Sequence, residues 1–216
     1  MRIDYRELEN SSRYSKIMEV SHEELLYWVS DHIRPENLPM RIFYLLNLPM
    51  LAYIFYKLYF IIFVAPLNWF YLTSIIMISV LAFVIIVIPL HELIHAASFL
   101  AMGAKKVSIH AQWNKMLFYA IADKYVLNGK EFTLLALLPF LVINALLTAG
   151  IVFWRGELRV IAVVFLFLHL TGCIGDFALL GYIYENRKKR ILNYDDREKG
   201  LSYFYIEIGN EVQAEG

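Results

Sequence analysis

His91-Glu92-Leu93-Ile94-His95 closes one of the most apolar stretches of the chain, for between Ile75 and Leu90 there is no charged residue. Residues four apart on a helix share nearly one face, so both imidazoles can reach a single metal ion. Glu92, beside the first of them, can reach a water at that ion. A glutamate and two histidines in such surroundings are unfavourable unless something uses them. The run itself is long enough to cross a bilayer. Tyr71 to about Met102 is therefore expected to be one membrane span, with the motif in its last third. Pro89, two residues before His91, is expected to kink or loosen that helix.

Working outward, Ile42 to Ala65 predicts an earlier span, with Pro49 in its first turns and Lys57 in its middle, snorkelling or facing the bundle interior. Pro66-Leu67-Asn68 makes a short break. Phe132 to Trp154 predicts a third span, interrupted by Pro139 and carrying Asn144. Arg155-Gly156-Glu157 reads as a tight loop, and Leu158 to about Tyr184 as a fourth span that holds Asp176.

Between the second and third spans the pattern changes. Gly103 ends the helix. Val107, Ile109, Ala111 and Trp113 then alternate with Ser108, His110 and Gln112, a period of two and hence a strand. Asn114-Lys115 reads as a turn and Met116 to Ala122 as the returning strand, so a hairpin follows the motif helix directly. His110 falls on its polar face. Asn128-Gly129 marks another turn. The tail alternates again from Leu201 to Ile208, which predicts one more strand. Residues 1–41 read as a soluble lead-in. Within it Ser21 is expected to cap a helix, with Glu24 completing a capping box and Leu25, Leu26, Trp28 and Val29 forming the apolar face. Pro35 should stop it near Arg34. His22 and His32 read as exposed residues with no partner at ligand spacing.

The fold class that results is mainly α and integral to a membrane, with about four transmembrane helices and a small cytoplasmic β-hairpin after the HExxH helix. Composition agrees. The chain has 216 residues, enough for one domain, and is 59% hydrophobic, above the 45–50% usual for soluble domains. Fifteen Phe, fifteen Tyr and four Trp make an aromatic load suited to a bilayer interface. The formal net charge is zero, which removes the electrostatic case for a nucleic-acid partner. Cys173 stands alone, so neither an intramolecular disulfide nor a cysteine-based zinc site is available. The first forty residues lack the apolar run of a cleaved leader, and the first hydrophobic segment is expected to direct the chain to the membrane.

Charge orients the spans. Lys105, Lys106, Lys115, Lys124 and Lys130 lie between spans two and three, Arg187-Lys188-Lys189-Arg190 follows span four, and Arg34 and Arg41 precede span one. The opposite loops offer only Arg155 and Arg159. By the positive-inside rule both termini and the hairpin loop are cytoplasmic in a multi-pass cell-membrane protein. Residues 42–185 then form the membrane-embedded unit and residues 186–216 a basic cytoplasmic tail with one strand.

A catalytic zinc needs three protein ligands and an open position. His91 and His95 supply two. Glu131, Glu157 and Glu185 all lie at span boundaries, where a solvated carboxylate needs no explanation. Asp176 lies inside a span, where it does. His95 stands about 15 Å of helix from Lys105 and Asp176 about 16 Å from Arg187, so all three ligands fall at one depth. Gly172 and Gly175 are small enough to let the fourth helix approach the second.

The HELIH motif in a membrane helix, the following hairpin and a distant intramembrane aspartate resemble the site-2 protease class of intramembrane metalloproteases. More closely, Gly172-Cys173-Ile174-Gly175-Asp176 resembles the putative zincin peptidase family of bacterial membrane proteins. The resemblance runs from about Tyr71 to the tail. The chain departs from the Asn-Pro-x-x-Asp-Gly pattern of site-2 proteases, since Phe177 follows Asp176 and no proline stands close before it.

These residues lead to an expected function: a membrane-embedded zinc metalloprotease with Zn2+ on His91, His95 and Asp176 and with Glu92 as general base. Its partners would be the lipid bilayer and a protein or peptide substrate, which the hairpin could bind by strand addition. Asn144 makes an interhelical hydrogen bond, or else bonds substrate or oxyanion. His169, seven residues before Asp176, either orients that carboxylate or bonds a backbone carbonyl. Cys173 reads as small packing. Two alternatives are a non-proteolytic membrane protein with a structural or regulatory zinc, and a surface enzyme cleaving soluble peptides. Glu92 argues against the first and the buried aspartate against the second. The topology has a direct check. Labelling probes after Lys130 and after Tyr194 should report the cytoplasm and a probe at Gly156 the outer side; an external signal at Lys130 refutes the arrangement.

Overall fold

The computed structural model describes residues 2–64, 68–112 and 117–208. It is mainly helical. Among these residues four helical stretches, Leu38–Val64, Trp69–Ala101, Gly129–Phe153 and Gly156–Glu185, are long and apolar enough to cross a membrane, with mean hydropathy of 1.6, 2.8, 2.3 and 2.1. Their outward faces expose Leu45, Phe63, Ile85 and Phe153, an apolar surface larger than a water-soluble protein tolerates. The Asn114-Lys115 turn and the Pro66-Leu67 break lie outside the described residues.

The first stretch is α3 (Leu38–Tyr59), which ends in a π-helical turn, Phe60–Val64. The second is α4 (Trp69–Ala82), a π-helical turn over Phe83–Val87, and α5 (Ile88–Ala101). Pro89 has no N–H and its ring crowds the preceding turn. The wider π turn just before it absorbs that misfit, so the chain passes from α4 into α5 without a break. Gly103, at φ 97°, then ends the helix in a left-handed conformation that favours glycine. The third stretch is α6 (Gly129–Phe153). Asn128 and Glu131 close a capping box at its start, so Asn128-Gly129 begins a helix where the sequence suggested a turn. The fourth is two helices, α7 (Gly156–Gly172) and α8 (Ile174–Glu185), separated by Cys173 at φ −71° and ψ 8°.

The ends of the chain meet on one sheet. Before α3 come α1 (Tyr5–Asn10), β1 (Tyr14–Ser21) and α2 (Leu25–Asp31). After α5 come the antiparallel pair β2 (Val107–Gln112) and β3 (Leu117–Ala122), in register from Val107 opposite Ala122 to Gln112 opposite Leu117, and then the short β4 (Leu127–Asn128). After α8 come β5 (Ile191–Asp196) and β6 (Leu201–Glu207). The antiparallel order is β1-β6-β5-β4. A bridge between Asp123 and Asp195 ties the end of β3 to β5.

Three expectations for the lead-in change. Ser21 ends a strand and does not cap a helix; α2 begins at Leu25 with no side-chain cap. His32 is half-buried and stacks on Trp28, ring centroids 3.9 Å apart. His22 is buried. Strands β1 and β5 were not visible in the pattern. A register shift between Lys16 and Met18 breaks the period of two in β1. In β5 the inward face carries Asn193 and Asp195, so alternation of apolar residues never appears.

Three cores result. Phe43, Phe140, Leu166, Leu170 and Phe177 pack within the helix bundle. Val20, Phe99, Phe132, Ile183 and Phe204 join the sheet to the bundle. Leu8, Tyr14, Tyr194, Tyr203 and Tyr205 bury the outer sheet face under α1. Asn37 locks the start of α3 to the end of α8. Its Oδ1 accepts from the Met40 backbone N–H at 2.9 Å and its Nδ2 donates to Glu185 at 3.2 Å. Asn37→Ala should lower unfolding free energy by about 1–2 kcal/mol, read as an earlier unfolding midpoint in detergent, with Asn37→Ser closer to wild type.

Candidate metal centre

α5 places His91 and His95 one turn apart, with ring centroids 4.7 Å apart and planes at 75°. Their Nε2 atoms lie 3.0 Å from each other. Asp176 enters from the first turn of α8, the helix end that favours negative charge. Its Oδ2 is 3.3 Å from His91 Nε2 and its Oδ1 is 3.6 Å from His95 Nε2. The one-residue break at Cys173 starts a new helix here and gives the carboxylate that position.

The fit to a metal follows from these separations. Tetrahedral zinc, with bonds of about 2.0–2.1 Å, needs neighbouring ligand atoms about 3.3 Å apart. The three distances bracket that value, and the donors are two imidazole nitrogens and one carboxylate, the types zinc takes. Two lone pairs and an anion converging at this range repel one another unless a cation or a proton lies between them.

Glu92 is buried on the same helix and stands outside the three-atom cluster. It lines a cavity of about 450 Å³ together with His91, His95 and Asp176. The backbone N–H of Ala120 in β3 is directed at its carboxylate. Opposite the motif, the wall is formed by β3 and by the inner face of the sheet. Gly172 and Gly175 also line this space, and a Cβ built on either meets nothing within 4 Å. They keep the cavity clear and do not serve a close helix approach. The tightest glycine among the described residues is Gly181, whose Cβ would collide with the Asn37 amide.

The three other acidic candidates are engaged elsewhere. Glu131 bonds Arg2 at 2.8 Å, Glu157 accepts from Tyr71 at 2.5 Å, and Glu185 holds Asn37 and Arg34. His169 does not orient Asp176. Its Nε2 lies 3.1 Å from His91 Nδ1, and its Nδ1 lies 2.9 Å from Asn144 Oδ1, so Asn144 makes its hydrogen bond between helices. Cys173 is buried beside the His169 ring. His110 bonds Ser108 at 2.9 Å away from this cluster, and burial, with Arg197 and His22 adding to it, holds it below the ordinary histidine value.

Sequence reasoning missed His22. It sits in the cavity wall with Nε2 3.2 Å from Ser202 Oγ, which itself donates to Asp195 at 2.5 Å. These residues are brought together only by the pairing of β1, β6 and β5, and no local signal marks them.

Fold and site together define a bundle of membrane-type helices around an HExxH cluster. Residues 84–191, half of the chain, match the family described as "Putative zincin peptidase", and the chain belongs to that family. The matched span contains His91, Glu92, His95, Asn144, His169 and Asp176. No curated protein and no solved structure matches the chain. For the cluster, His91→Ala, His95→Ala and Asp176→Ala should each lose most of the zinc measured on purified protein, whereas Glu131→Ala and Glu185→Ala should keep it, because a two-ligand site is far weaker than a three-ligand one.

Proposed function

We propose that this protein is a membrane-embedded zinc endopeptidase acting on membrane or membrane-associated protein substrates. The observation that carries the reading is Glu92: a buried carboxylate next to His91, in the same cavity as the three converging donors yet not one of them. A structural zinc has no use for such a group, and this separates the proposal from a non-proteolytic role.

His91 and His95 offer Nε2 lone pairs from one face of α5, and Asp176 offers its carboxylate from α8. Zinc, when bound, supplies a Lewis acid for the scissile carbonyl and makes water more acidic. Glu92 accepts the proton of the attacking water on its carboxylate and hands it to the leaving amine nitrogen as the peptide C–N bond breaks. The largely apolar walls exclude bulk water from these charges and so strengthen their action. One edge of β3 is paired with β2. On its other edge the backbone N–H of Ala120 is directed at Glu92, which supports a reading in which an extended substrate laid along that edge would lie beside the base.

Two further parts of the proposal rest on charge. The lysines between α5 and α6 and the run from Arg187 to Arg190 favour cytoplasmic termini, and the neutral overall balance favours lipid and polypeptide as partners over nucleic acid.

Glu92→Gln tests the assignment. The amide is nearly isosteric and can still hydrogen-bond water, but it cannot take the proton. The variant should be folded and zinc-loaded, with cleavage of a single-span substrate reduced by roughly two to four orders of magnitude. Loss of zinc from Glu92→Gln would make Glu92 structural, and full activity with zinc retained would remove this site from the chemistry.

A further inference from the structure

We infer that His169 and Asn144 are positioning residues that fix which nitrogen of His91 carries its proton, and so present its Nε2 lone pair to the metal. The inference rests on the zinc reading above. An amide oxygen can only accept a hydrogen bond. The 2.9 Å contact of Asn144 Oδ1 with His169 Nδ1 therefore places the proton of neutral His169 on Nδ1. Its Nε2 is left bare and can only accept. The 3.1 Å contact with His91 Nδ1 then requires the proton of His91 on Nδ1. His91 Nε2 is left bare, and this is the atom 3.3 Å from Asp176 and 3.0 Å from His95 Nε2.

The competing state shows what the relay does. With its proton on Nε2, His91 would donate to the Asp176 carboxylate, a charge-assisted hydrogen bond that occupies the ligand position. In that state His91 Nδ1 and His169 Nε2 would face each other as two lone pairs. The relay thus penalises the tautomer that blocks the metal. The direction of the whole chain is set at its far end, by Asn144. That contact is the only side-chain hydrogen bond of Asn144 among the described residues, since its Nδ2 is buried without a partner. His169 is 3% exposed, with Cys173 Sγ 3.8 Å from its Nε2, so the ring has little freedom to turn away. His95 has no equivalent: its Nδ1 is buried and unpartnered among the described residues. The two metal-facing imidazoles therefore differ, one held through its outer nitrogen and one not.

The test is zinc affinity of the full chain in detergent, by competition with a chelator, for wild type, Asn144→Leu, His169→Phe, Asn144→Asp and His91→Ala. Orienting partners of a ligating histidine typically contribute 10–100-fold in metal affinity, so Asn144→Leu and His169→Phe should weaken zinc by about that factor and Asn144→Asp by less than about threefold. An ionised carboxylate at 144 only accepts and keeps the direction. Two results overturn the relay: zinc affinity unchanged in both Asn144→Leu and His169→Phe, or Asn144→Asp as weak as Asn144→Leu. A wild type that binds no zinc, or a His91→Ala that keeps it, overturns the metal reading itself and is thus distinguishable. Should the leucine and phenylalanine variants not fold, side-chain 15N spectra of the wild-type zinc protein decide: a proton on His91 Nδ1 supports the relay, and one on His91 Nε2 overturns it.

Discussion

Two imidazoles and a carboxylate are gathered among apolar helices, and the rest of the structure depends on how that is tolerated. Each group would be unfavourable there alone. Held within 3.0–3.6 Å of one another they form a cation-sized set of donors. Two helical irregularities lie beside this cluster. The π turn at Phe83–Val87 accommodates Pro89 just ahead of His91. The interruption at Cys173 turns one expected helix into two and puts Asp176 at the start of the second. Both are local departures from regular helix, and both lie within a few residues of a group in the cluster.

The small sheet is the second half of the same arrangement. Strands from the two ends of the chain, joined by the short β4 from between α5 and α6, pair as β1-β6-β5-β4 and set their inner face over the helices. That face is mixed: Val20 and Phe204 are apolar, while Asn193, Asp195 and Ser202 are polar and line the cavity. The outer face centres on Tyr194, Tyr203 and Tyr205, packed under Leu8 of α1, with Lys16 lying over the Tyr203 ring. The cavity therefore has helix-borne chemistry at one wall and a hydrogen-bonded group, His22, Ser202 and Asp195, at another.

Legibility in the sequence followed the range of the interactions involved. The four helical stretches, the β2–β3 pair and the glycine stop at Gly103 are local. Each is written in hydropathy, in a period of two or in a backbone preference, and each stands where the residues indicated. HELIH is local too, since spacing within one helical turn is enough to bring its imidazoles together. Asp176 was legible for a different reason: a carboxylate inside an apolar span is costly, and that cost is visible without knowing what it faces.

What the residues by themselves determined is thus the membrane-type helix bundle, the paired histidines, the neighbouring glutamate and the aspartate at matching depth. Only the tertiary structure decided the rest. It set His169 against His91 instead of Asp176, gave Gly172 and Gly175 a cavity to keep clear, and brought His22 to Ser202 across 180 positions of chain. It also built β1 and β5, whose bulge and polar inner face hide the alternation that marks a strand. The physical reason is common to all of them. Periodicity reports which face of an element is buried, but a hydrogen bond between elements depends on where two faces meet, and that is settled only when the whole chain has packed.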